Sequence, residues 1–381
     1  MAAMEQPPLA RVIAALPPNV PFVGPETLER RTGVPFVARL GANESAFGPS
    51  PLAVAAIAAA AADGWMYGDP EAFALRTALA AHHGIDRANI VCGVGIDGVL
   101  GTVVRLFVEP GTPVVTSLGG YPTFAFHVRA AGGVLHQVPY RDDREDLTAL
   151  AERAHAERAR VVYVANPDNP MGTWWTGTEL TAFRAALPAD TLLCLDEAYA
   201  DTAPPEAIPA LDIADPGVLR FRTFSKAYGL AGLRVGYALG HAETIAAGDR
   251  VRDHFGVGRV AQAAARAALE DQAHLADCVR QIAEGRERIT QIARANGLAP
   301  ITSAANFVTV DLGHDGPYAM AVLDELGRRG IFLRMPGVAP LDRCIRFGVG
   351  RPAELDVLER ELPAVIAATC PASDHGPPAV I

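Results

Sequence analysis

Five short runs in this sequence read as apolar or near-apolar, 114–117, 161–165, 192–196, 219–223 and 235–239, with Arg220 and Arg222 interrupting the fourth. A strand with one wet face alternates apolar and polar side chains. A run without that alternation needs cover on both faces, as buried strands of a largely parallel sheet do. Between the runs lie amphipathic stretches with helical spacing, at 97–107, 146–158 and 177–187. Strand–helix alternation of this kind predicts an α/β, doubly wound layer spanning residues 70 to 260.

The chain has 381 residues, more than one compact core ordinarily holds, so two domains are expected. Past residue 260 the pattern changes to helical stretches at 261–284 and 286–296, then short strands at 307–311, 332–334 and 345–348. Helices followed by strands predict a smaller α+β unit. The expected division is therefore a large domain at 51–265 and a small one at 266–370. Pro7, Pro8, Pro17, Pro18, Pro21 and Pro25 argue against regular helix in the first thirty or so residues. Residues 1–50 are expected to form an extended arm packing with the small domain, and 371–381 a disordered tail.

Several function classes drop out on composition. The net charge is -10, and no basic stripe is present to displace phosphate counterions, so no nucleic-acid partner is expected. No polybasic run marks a membrane surface. The longest apolar run, 52–62, is mostly alanine and shorter than the roughly 20 residues a bilayer span needs. It predicts a small-residue helix packed against something. The five cysteines, Cys92, Cys194, Cys278, Cys344 and Cys370, form no CxxC pair. They predict reduced thiols in a cytoplasmic protein, with no metal site.

Four segments carry chemistry. In Thr223-Phe224-Ser225-Lys226-Ala227-Tyr228-Gly229-Leu230-Ala231-Gly232-Leu233-Arg234, a lysine follows a strand edge. Read alone, it would be solvated. Ser225 and Arg234 beside it offer a hydroxyl and a guanidinium suited to a phosphate. Nearby cations also lower a lysine's pKa, which makes it a better Schiff-base amine. Asp196, in Leu195-Asp196-Glu197-Ala198-Tyr199, stands at the carboxyl end of a buried strand, where open α/β sheets bind ligands. It reads either as a helix cap or as the counter-ion of a protonated ring nitrogen. In Asn166-Pro167-Asp168-Asn169-Pro170-Met171-Gly172, a proline-rich turn holds an amide at a strand's end. Gly93-Val94-Gly95-Ile96-Asp97-Gly98 feeds a helix N-terminus whose free N–H groups suit a phosphate, although any tight strand–helix turn has this spacing.

Together these segments resemble the class I/II pyridoxal-phosphate (PLP) aminotransferases, and among them the histidinol-phosphate aminotransferase group. The resemblance runs from Leu40-Gly41-Ala42-Asn43-Glu44-Ser45 through Tyr67-Gly68-Asp69-Pro70 to Cys344-Ile345-Arg346-Phe347-Gly348. It implies a PLP-dependent transferase fold of the aspartate aminotransferase-like kind, and ping-pong transfer of an amino group from an amino acid, expected to be glutamate. On this resemblance Lys226 carries the cofactor as a Schiff base and moves the proton. Asp196 pairs with the pyridine nitrogen, Asn169 and Tyr199 bond the ring hydroxyl, and Tyr121 stacks on the ring. Thr223, Ser225, Arg234 and the backbone at Ile96 and Asp97 hold the phosphate. Tyr67 reaches the phosphate of a neighbouring subunit, which implies a homodimer. Arg346 grips a substrate carboxylate, Arg334 meets a second anion, and Asn43 is a further substrate residue.

The sequence departs from the family's pattern at Ile96, Gly98, Met171 and Phe255-Gly256-Val257-Gly258. All four changes are expected near the substrate end. Two neighbouring activities share the resemblance: a decarboxylase of the threonine-phosphate type, and an aromatic or broad-specificity aminotransferase. A PLP-binding regulator would need a DNA-binding module, and no basic helix-turn-helix segment precedes residue 40.

Overall fold

The computed structural model describes residues 7–18 and 22–369. Its first strand, β1 (Ala38–Arg39), stands apart from the main sheet. That sheet contains β2 (Ile90–Val94), β3 (Pro113–Ser117), β4 (Val134–Val138), β5 (Val161–Ala165), β6 (Leu192–Asp196), β7 (Val218–Thr223) and β8 (Val235–Gly240). The spatial order is β2-β8-β7-β6-β5-β3-β4. Strands β3 to β7 pair in parallel, and β8 runs against both β7 and β2. All five apolar runs are strands. The two the runs did not reveal are β2 and the partly exposed edge strand β4.

The absence of alternation in β5 has the expected cause. Val161, Tyr163 and Ala165 pack with Leu100, Val104 and Phe124 on one face, under the helices Gly95–Phe107 and Pro122–Ala130. Val162 and Val164 pack with Leu150, Leu180 and Phe183 on the other, under Leu147–Glu157 and Gly177–Ala186. With both parities buried, every position must be apolar.

A second sheet joins β9 (Ala299–Pro300), β10 (Phe307–Asp311) and β12 (Cys344–Gly348), all antiparallel. β11 (Ile331–Phe332) pairs in parallel with β1. Ala38 and Leu40 are thereby buried in the same core as Ile289, Val310, Leu326 and Phe347.

Two expectations need correction. The N-terminal arm is not extended throughout: Arg11–Ala14 and Pro25–Thr32 are helical. Pro25 occupies the first turn of its helix, where the missing N–H has no partner to lose. The long C-terminal helices divide near residue 271 rather than 285, as Arg259–Glu270 and Gln272–Ala295. Asp271 breaks them because its side chain accepts from the His274 N–H and caps the second helix. Cys92, Cys194, Cys278 and Cys344 are free and buried. Cys370 and the 371–381 tail lie outside the described residues. Among the described residues no helix is long and apolar enough to cross a membrane.

Candidate active site

The carboxyl ends of β5, β6 and β7 open into a cleft of about 670 Å³. Ile96, Asp97, Tyr121, Asn169, Asp196, Tyr199, Thr223, Ser225, Lys226, Arg234, Arg334, Arg346 and Asn43 all line it. Tyr67 does not: it is 79% exposed, with its ring centroid 4.9 Å from that of Phe255.

At the centre stands Lys226, whose Nζ donates to the Asn43 carbonyl at 3.0 Å. Asn43 has a left-handed backbone (φ 56), and its side-chain amide donates to the Tyr199 hydroxyl at 3.0 Å. Burial, then the charges of Arg346 and Arg234, lower the Lys226 pKa to about 8. An amine with that proton affinity is partly neutral near pH 7 and nucleophilic. Burial pushes Tyr199 up to about 12, so its hydroxyl keeps its proton.

Asp196 accepts from the Tyr163 hydroxyl at 2.7 Å and from the Ala198 N–H at 2.9 Å. Neither partner is a cation, and burial raises the Asp196 pKa to about 6. Tyr163 is the residue that sequence reasoning missed. It stood in an apolar strand run, and the available signal was a phenol among aliphatic neighbours, which needs a partner when buried. Its ring stacks on Phe124, with centroids 4.6 Å apart and planes 13° off parallel.

One corner of the cleft is built from backbone and hydroxyls. Ser225 Oγ accepts from Thr223 Oγ1 at 3.0 Å and from Arg234 Nη1 at 3.4 Å. The helix Gly95–Phe107 starts here with no side-chain cap: the Gly95 N–H donates to the Arg234 carbonyl at 2.9 Å, and no side chain takes the N–H groups that follow. Gly95 has φ +67, and a Cβ there would lie 2.5 Å from Arg234 Nη2. A Cβ on Gly236 would lie 2.5 Å from the Ile96 N. Glycine at both positions lets this cradle close.

Opposite it, Arg334 and Arg346 face each other across an antiparallel bridge, with Arg346 N–H donating to the Arg334 carbonyl at 2.8 Å. Arg346 bonds the Asn169 side-chain oxygen and the Gly41 carbonyl, and its Nε is buried without a partner. Arg334 donates to the Val23 carbonyl at 3.0 Å. Burial lowers the pKa of both. Of the departures in the sequence, only Ile96 lines this cleft. Met171 is buried with Leu341 and Cys344, and Phe255 stands beside Tyr67. Those residues do not line this chain's own cleft.

The profile of the family "Aminotransferase class I and II" matches residues 37–362. The chain is 38% identical over 342 residues to a histidinol-phosphate aminotransferase of Anaeromyxobacter sp., covering 89% of this chain and 93% of that one. Its structure superposes with a TM-score of 0.93 on histidinol-phosphate aminotransferase from Sinorhizobium meliloti in complex with pyridoxal-5'-phosphate. That protein is 54% identical, with 96% of this chain and 99% of that chain covered. A mutant of Thermus thermophilus aspartate aminotransferase, 22% identical, gives a TM-score of 0.78 over 94% of this chain and 100% of that one, a likeness of fold.

Proposed function

The chain belongs to the class I and II aminotransferases, and on that premise we propose that it moves an amino group between glutamate and imidazole-acetol phosphate, with PLP as cofactor. The observation that carries this reading is a partly buried lysine and two partly buried arginines converging in one cleft, none of them bonded to a carboxylate. Such charges are costly unless a ligand completes them.

The residues fit the cofactor. The Gly95–Gly236 cradle, with Ser225 and Arg234, offers donors and space for a phosphate. The uncompensated Asp196 carboxylate suits a protonated ring nitrogen. Thr223, Ser225, Arg234 and the N–H groups of Ile96 and Asp97 would hold the phosphate. Asp196 would hold the ring nitrogen, Asn169 and Tyr199 the ring hydroxyl, and Tyr121 the ring face. When bound, PLP supplies a carbonyl for the amino group and a ring that accepts electron density from the substrate's α-carbon.

The chain's own groups do the rest. Lys226 Nζ, with its lowered proton affinity, takes and returns a proton at that carbon. Tyr163 donates to Asp196, which keeps the carboxylate ionised and in one orientation. Arg346 offers a planar fork to the substrate carboxylate, a geometry lysine lacks. Arg334 lies across the bridge for the distal carboxylate of glutamate or the phosphate of the second substrate.

The test is a half-reaction screen that follows conversion of PLP to its amine form with each candidate amine. Glutamate and histidinol phosphate should both drive it. Arg346→Lys should slow the glutamate half-reaction most, and Arg334→Ala the histidinol-phosphate one. Release of carbon dioxide without the amine form would overturn the reading in favour of a decarboxylase.

The active form we propose is a cytoplasmic homodimer. Tyr67 is turned away from its own cleft, and Leu52, Val54, Trp65, Phe73 and Phe255 are exposed as well. The helix Pro51–Ala61 packs on Arg259–Glu270 through Ala53 and Ile57, as expected of the run at 52–62, and leaves Leu52 and Val54 exposed on its other side. Mixed subunits test the assembly. Lys226→Ala and Tyr67→Phe proteins, each inactive, should regain part of the activity on exchange, because both defects fall in one hybrid site. Exchange without recovery removes Tyr67 from the partner's site.

A further inference from the structure

We propose that the side chain of Asp97 is a positioning residue, whose carboxylate tethers Tyr121 so that this wall of the cleft stands in place before the cofactor enters. The inference rests on the reading that Tyr121 covers the cofactor ring. It concerns the Asp97 side chain, whereas that reading uses only the Asp97 backbone N–H.

Tyr121 needs a tether. It follows Gly119 and Gly120, the first with a left-handed backbone (φ 93), and precedes the helix Pro122–Ala130. Its closest aromatic neighbour, Phe22, lies 6.3 Å away between centroids, at a 34° tilt, so no tight stack fixes the ring. The contact that fixes it is the phenol hydroxyl donating to Asp97 Oδ1 at 2.9 Å. A hydroxyl bonded to a carboxylate makes a charge-assisted bond, stronger than a neutral one. Burial, and then Asp97, push the tyrosine's pKa far up, so the hydroxyl remains a donor. Asp97 is itself fixed in the first turn of the helix Gly95–Phe107, the end that favours an acidic group.

Asp97 has a second contact, Arg234 Nη2 at 3.6 Å, where the two side chains are 36% and 45% exposed. An ion pair that long and that wet is weak. A phosphate arriving at Arg234 would also compete for the same guanidinium. The tether to Tyr121 faces no such competitor, apart from the Thr123 hydroxyl close to the same phenol.

The test is the dissociation constant of PLP from the cofactor-free protein, read by absorbance, for wild type, Asp97→Ala, Asp97→Asn, Tyr121→Phe and the Asp97→Ala/Tyr121→Phe double variant. Without the tether the cofactor must immobilise the ring as it binds, which should weaken binding about two- to tenfold. Asp97→Ala and Tyr121→Phe should each show this loss, and the double variant should be no weaker than either. Asp97→Asn keeps an acceptor oxygen but makes only a neutral bond, so its affinity should fall between those of wild type and Asp97→Ala. Melting of each cofactor-free variant separates loss of fold from loss of the tether, and Tyr121→Phe, which alters no backbone contact, reads the tether even if Asp97→Ala unfolds. Wild-type affinity in both Asp97→Ala and Tyr121→Phe, or losses that add in full, would overturn the proposal. So would an Asp97→Asn variant as weak as Asp97→Ala, which would assign the effect to Arg234. A wild-type protein that takes up no PLP would remove the cofactor reading itself.

Discussion

Asp196 and Glu197 are consecutive carboxylates at the end of one buried strand, 4% and 1% exposed. On one side of the sheet Glu197 is gripped by Arg220, through Nε at 3.0 Å and Nη2 at 2.6 Å, and by Arg222 Nε at 2.8 Å. Burial alone would raise its pKa, and Arg222 and Arg220 outweigh that and hold it below the ordinary value. On the cleft side Asp196 has a phenol and a backbone N–H, and burial prevails. The arginines divide in the same way. Arg220 and Arg222 share a carboxylate, whereas Arg334 and Arg346 bond only carbonyl and amide oxygens. A charge matched within the chain serves the scaffold, and one left unmatched in the cleft is where a ligand belongs.

The comparison breaks first at Lys226. Lys226→Ala should keep the fold and lose turnover by at least the 10²–10⁴ typical of a proton-transfer group. Borohydride should no longer fix the cofactor to the peptide around residue 226. Retained turnover, or the reduced cofactor on another lysine, would place the chemistry elsewhere.

Glu197→Gln should have the next largest effect, on stability. It strands the buried Arg220 and the partly buried Arg222 and should cost about 3–5 kcal/mol in denaturant unfolding. PLP absorption in the folded fraction should stay unchanged. A loss below about 1 kcal/mol would mean that the network contributes little.

Asp196→Asn should do the reverse. Turnover should fall roughly tenfold to a hundredfold, the scale of one hydrogen bond to a charged group. The cofactor-free protein should become more stable at neutral pH. The Asp196 pKa is raised from 3.8 to about 6 on folding, so its ionisation opposes the folded state. Wild-type stability from this group is greatest below pH 3.8 and declines as pH rises through about 6. The variant's gain should therefore be absent near pH 3.5, grow to pH 6 and level off at no more than about 3 kcal/mol. A gain that ignores pH would show that Asp196 is not the titrating group.

Much of the fold was legible because its signal is local. A strand covered on both faces is apolar except where a partner meets its polar group: 161–165 and 192–195 show the rule, and Arg220 and Arg222, paired with Glu197, show the exception. Less of the N-terminal arm was legible, since Pro25 reads as a breaker until its place at the first turn of a helix is known. The edge strand β4 was hidden because, half exposed, it carries His136 and Gln137 among its apolar residues.

By itself the sequence determined the buried strands, the segments that reach their carboxyl ends, and the residue types available there. Only the tertiary structure decided which charges are matched. Tyr163 meets Asp196 across 33 positions, and Asn43 meets Lys226 across 183. The register of β6 on β7 brings Arg220 and Arg222 to Glu197. Charge matching depends on distance and dielectric in space, and neither is encoded by spacing along the chain.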